Sequence, residues 1–186
     1  MLREVAISDA DVRLEKKQVS LIIETAETVR DNALNLARKK MLPREQDFGL
    51  ASLLERREFV DYFKHALAIE IAQVIAFNDQ RVQAVFLFEE STNPDAETED
   101  YLSSIDFTIH LLAFVTAGSA AFESYVASLD RALTEVLNEL PSNDLFRRSS
   151  FLTVLPVTEK DVAQSRGYAT LLSSIYSRPI KIWERK

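Results

Sequence analysis

The residues able to do chemistry gather in one stretch. Between Phe88 and Phe107 the chain carries Glu89, Glu90, Asp95, Glu97, Glu99 and Asp100 and then, past Ser103-Ser104-Ile105, Asp106. Carboxylates in such density could hold Ca²⁺ or a polyamine. The spacing does not make an EF-hand, because Glu90 to Asp100 has no central glycine and no alternating Asp/Asn ligands. A solvated charged loop accounts for the run, and its functional version is a surface for a basic protein partner. Asp106 stands apart as the start of an apolar strand. It is a candidate metal ligand, or else an aspartate satisfied by loop N–H groups or water. A lone carboxylate holds Mg²⁺ weakly, since the ion keeps most of its own water unless substrate phosphates help.

Little else in the chain offers chemistry. There is no cysteine, which excludes disulfides and thiolate metal sites, and the two histidines, His65 and His110, make no imidazole cluster. His110 lies on the Asp106 side of its strand with Thr108. His65 follows Asp61 by one helical turn, a spacing that an ion pair explains. Ser119 and Ser124 lack a Gly-x-Ser-x-Gly setting. Three glycines in 186 residues are too few and too far apart for a Rossmann or Walker loop. A net charge of -7 argues against sequence-independent binding to nucleic acid. The bases that would contact it, Arg147, Arg148, Arg166, Arg178, Lys181, Arg185 and Lys186, collect in the C-terminal third. They read as surface charge, or as the counterpart of another copy's acidic loop. The start has no signal-peptide core, and the apolar run Ile105 to Gly118 is too short to cross a bilayer, so a cytoplasmic protein without a membrane anchor is expected.

The elements that must position these residues follow from periodicity. Asp9 to Lys40 has helical spacing with Leu14, Leu21, Ile22, Val29, Leu36 and Ala37 on one face, which also permits a short coiled-coil contact. Pro43 and Gly49 bound a loop. Ser52 and Glu55 form a capping-box pattern opening a second helix, with Phe59, Val60, Phe63, Leu67, Ile71, Val74 and Ile75 as its apolar face. Val82 to Phe88 reads as a strand. From Ile105, alternation sends Phe107, Ile109, Leu111, Ala113 and Val115 to one side of a second strand. A helix opens at Gly118-Ser119 and closes at Pro141. Phe151 to Val157 is a third strand, whose Pro156 belongs at an edge or a strand end. Thr158 to Asp161 caps a last helix reaching about Tyr176, and Ile180 to Trp183 could add a final strand. The expectation is an α+β sandwich with its helices largely on one face.

The cassette from Ala66 to Val115 resembles the nucleotidyltransferase superfamily, which includes the small bacterial nucleotidyltransferases and polymerase-beta-like enzymes. A helix leads into Asp79-Gln80-Arg81-Val82-Gln83-Ala84-Val85-Phe86-Leu87-Phe88, where the family strand ends in Leu-Phe followed by Gly-Ser. Ser103-Ser104-Ile105-Asp106-Phe107 stands where the family has Ser-Asp-x-Asp-Leu. The resemblance implies a helix–strand–strand–helix–strand–helix core over residues 51–186, with residues 1–50 as a helical extension packed on it.

The departures bear on activity. In the family, Gly-Ser lets backbone N–H groups approach the nucleotide phosphates. Here Glu89-Glu90-Ser91 occupies that place, and each carboxylate facing a phosphate contributes repulsion on the order of 1 kcal/mol even when screened. The first metal-binding aspartate of the family pair is replaced by Ser104. The third strand, Phe151 to Val157, carries no acid. Of the positions the chemistry requires, Asp106 alone survives. The resemblance therefore implies a non-catalytic derivative with no cofactor and doubtful nucleotide binding, acting as a protein-interaction or assembly module through a protein partner or self-association. The alternatives are an active nucleotidyltransferase whose Asp106 binds Mg²⁺ with Glu89, Glu90 or Glu99, and an unrelated α+β binding protein.

Overall fold

The computed structural model describes residues 9–42, 45, 47–88, 107–141, 146–173 and 179–186, with side chains from residue 17 onward. The longest element, α1 (Asp9–Lys40), precedes a short helix α2 (Leu50–Leu54) and a long one, α3 (Arg57–Asn78). Strands β1 (Val82–Phe88) and β2 (Ile109–Val115) follow, then α4 (Ala120–Asn138), β3 (Leu152–Thr158), α5 (Glu159–Ala163), a 3-10 helix (Gly167–Ser173) and β4 (Ile180–Glu184). The protein is α+β, with one mixed, open sheet of order β3-β2-β1-β4. β1 runs antiparallel to β2 and to β4, whereas β2 and β3 are parallel, joined by the α4 crossover.

Alternation along the strands decides what each face covers. Val85, Leu87, Ile109, Leu111, Ala113, Val115 and Leu152 point into one core with α1, α3 and α4. Phe88, Leu112 and Val157 point to the opposite face, where Ala169, Leu171 and Leu172 of the 3-10 helix pack on them. The expected layer of helices on one face is present, with this smaller cover on the other. Pro156 lies in β3, an edge strand, opposite Ala113 of β2. There its missing N–H need not interrupt an inner ladder.

Three local expectations are corrected. The stripe of α1 that is buried consists of Ala26, Val29, Ala33 and Ala37, while Leu21 and Leu36 are 63% and 39% exposed. Small residues let α1 lie close against α3 and α4, so the alanines take the seam and these leucines fall outside it. Ser52 and Glu55 do not form a capping box: Ser52 is inside α2, whose N-cap is Gly49, and Glu55 is its C-cap. Burial of Leu53 and Leu54 sets that turn, and α3 starts afresh after Arg56. The last helix does not run on to Tyr176. The Thr158–Asp161 capping box forms as expected, but α5 ends at Ala163. Ser165 and Gly167 then adopt positive φ of 46° and 54°, a left-handed conformation that no helix continues through and that glycine tolerates without a Cβ penalty.

Candidate functional site

The candidate residues Glu89, Glu90, Ser91, Glu99, Ser104 and Asp106 lie outside the described residues, but the frame on either side of them is well defined. β1 ends at Phe88, which pairs with His110 of β2, the two rings 5.4 Å apart. On the return side, Phe107 is fully buried. Its ring meets Phe63 at 5.6 Å, Phe146 at 4.7 Å and Phe151 at 6.2 Å. Both ends of the acidic stretch are therefore held at the same end of the sheet, one by strand pairing and one by an aromatic cluster. Aromatic pairs of this geometry contribute about 0.5–1.5 kcal/mol each beyond the area they bury.

β3 enters beside β2 at this end, with Leu152 opposite Ile109 and Thr153 opposite His110. The residue beside His110 thus carries a hydroxyl. One acid does reach this end of the sheet from α4. Asp130 Oδ1 accepts hydrogen bonds from the backbone N–H groups of both Phe151 and Leu152, each at 2.9 Å. That carboxylate fixes the start of β3. Reading by sequence missed it, because nothing within α4 itself points to backbone partners at the start of another strand. Among the described residues, no three His, Asp or Glu side chains come together as a metal site.

No family model, curated protein or solved structure matches the chain.

Several other charged groups pair within the fold. Arg81 forks onto Asp79, with Nε at 2.9 Å from Oδ1 and Nη2 at 2.6 Å from Oδ2. That pairing holds the Asp79 carboxyl below the usual carboxylate range, with Arg185 adding to it. Asp161 is lowered in the same direction by the Thr158 hydroxyl and backbone N–H. Asp61 meets Arg57 at 3.7 Å across a helical turn.

Arg185, expected as one of a set of surface bases, has a different place. Its guanidinium donates to the carbonyls of Val82 at 3.0 Å, Ala76 at 2.8 Å and Asp79 at 3.3 Å, and lies 5.3 Å from the Trp183 ring. It ties the end of β4 to the turn between α3 and β1. Among the described residues, no helix is long and apolar enough to cross a membrane.

Proposed function

We propose that the chain is a non-catalytic relative of the nucleotidyltransferase superfamily that serves as a protein-interaction or assembly module. The observation that supports this reading is the parallel pairing of β2 with β3, a strand whose residues Leu152–Thr158 bring no carboxylate to share a metal with β2. The nearest acid contributed by α4, Asp130, already caps two backbone N–H groups. Sequence supplies the rest: Glu89-Glu90-Ser91 stands in place of a glycine-bearing phosphate loop, and Ser104 in place of the first metal-binding aspartate. The order of helix, antiparallel strand pair, helical crossover and third strand agrees with such an ancestry. A fold kept after its chemistry is lost offers surface, and recognition is the role that surface serves.

Isothermal titration of the full chain with ATP and with CTP, each with Mg²⁺, tests the reading. No saturable binding is expected. Micromolar, Mg²⁺-dependent binding that disappears in Asp106→Ala would instead establish the active enzyme, with Asp106 and Glu89, Glu90 or Glu99 as its ligands.

A further inference from the structure

We infer that the outer edge of β4 is a self-association surface that pairs antiparallel with β4 of a second copy, extending the sheet across a two-fold axis. The inference rests on the assembly half of the reading above and names its partner. An open sheet has two edges, and here they differ. β3 carries Pro156, which has no N–H to offer a new strand, and the 3-10 helix packs beside it. β4 has β1 as its one described neighbour, and its sequence, Ile180-Lys181-Ile182-Trp183-Glu184, is rich in β-branched and aromatic residues. Its apolar side is not fully covered either: Ile180 is 58% exposed, and Ile182 and Trp183 are only partly buried against the main core.

The side chains are self-complementary in one register. Lys181 lies opposite Phe86 and Glu184 opposite Ala84, so both face away from the helical layer, while Trp183 lies opposite Val85 and faces toward it. An antiparallel pair centred between Ile182 and Trp183 sets Lys181 of each copy against Glu184 of the other. The same register sets Ile182 of each copy against Trp183 of the other. Charge meets opposite charge and apolar meets apolar, twice over by symmetry. Within one copy Lys181 Nζ reaches Glu184 Oε2 at 2.7 Å, yet the two side chains remain 46% and 59% exposed, free to turn to a partner. The shortness of β4, its lysine and the register shift opposite Val85 and Phe86 discourage pairing with an arbitrary strand. A second copy offers that lysine a further carboxylate, which makes it the occupant the edge selects.

Sedimentation velocity on the full chain, from low micromolar to near-millimolar concentration, reads the outcome. A monomer–dimer equilibrium is expected, weakened about tenfold by Lys181→Glu, which makes both symmetric contacts repulsive. The double exchange Lys181→Glu with Glu184→Lys restores it, and circular dichroism confirms that each exposed-site variant is folded. A chain that stays monomeric throughout, or a dimer indifferent to Lys181→Glu, overturns the inference. The two proposals fail separately. A monomer leaves the nucleotide titration to decide whether the site is inactive, and a dimer that binds nucleotide with Mg²⁺ removes the non-catalytic reading alone.

Discussion

Arg185→Ala tests whether one side chain closes the sheet. The wild-type guanidinium donates to three carbonyls, of which those of Ala76 and Val82 belong to buried residues. Ala76 also lies in the last turn of α3, where carbonyls have no partner within the helix. A hydrogen bond from a charged donor contributes about 1.5–3 kcal/mol, and an acceptor left unpaired in the interior costs about 1–3 kcal/mol. The contact with Trp183 adds about 0.5–1 kcal/mol. These terms overlap, because all act through one group and water can reach part of it. The expected loss is therefore about 2–4 kcal/mol rather than their sum. For a chain of this size that lowers Tm by roughly 4–16 °C. Urea unfolding and a thermal scan measure it, with exposed Lys186→Ala as the control, expected within about 0.5 kcal/mol of wild type. Arg185→Lys keeps the charge without the planar fork and should recover only part of the loss. If Arg185→Ala unfolds at the wild-type urea midpoint, the guanidinium is not what holds β4 to the α3–β1 turn.

Two further outcomes follow from charged groups paired within the fold. Asp130→Ala removes the acceptor of two backbone N–H groups at the start of β3 and should lower the unfolding free energy by about 2–3 kcal/mol, with Asp130→Asn intermediate, as read by urea denaturation. Asp79 and Asp161 both have folded-state values below the ordinary carboxylate value. Their stabilisation is fully present above the unfolded value of about 3.9 and is lost as pH falls through the lower folded values. Stability should therefore fall as pH drops below about 4, and an Asp79→Asn variant should be less stable at neutral pH and flatter across the acid limb. An unchanged acid limb in that variant would show that its pairing with Arg81 does not set the pH dependence.

Much of the architecture was legible because strand and helix periods differ so clearly here. The alternation from Phe107 to Val115 correctly put Phe107, Ile109, Leu111, Ala113 and Val115 on the helical face and Leu112 on the other, and the Ser119 hydroxyl accepts the Ala121 N–H at 3.2 Å where a helix start was expected. What sequence misjudged was decided by tertiary packing. The α1 seam went to alanines because close approach of three helices outweighs the greater hydrophobicity of Leu21 and Leu36. Ser52 had the right spacing for a cap but lies one turn too late, because Leu53 and Leu54 needed to be buried in a turn of their own. Arg185 looked like a surface charge and Asp130 drew no reading; no pattern within a single element reveals that their partners are backbone groups 103 and 21 residues away. Of the candidate site, the sequence shows that Phe151 to Val157 carries no acid, and the structure adds that this strand pairs with β2.

The placement of β4 also bears on how the chain is made. β1 lies in the middle of the sheet, yet the strand that covers one of its two sides is synthesised about a hundred residues later, as the separation of Val82 and Arg185 records. At ribosomal speeds of roughly 5–20 residues per second, that side of β1, with Phe86 and Leu87, stays open for about 5–20 seconds after β1 emerges. During that interval the nascent chain carries an unpaired apolar edge in its centre, the kind of surface that holding chaperones shield. The residues that end this exposure are the same five that form β4, so their arrival is a timed event in the life of each molecule.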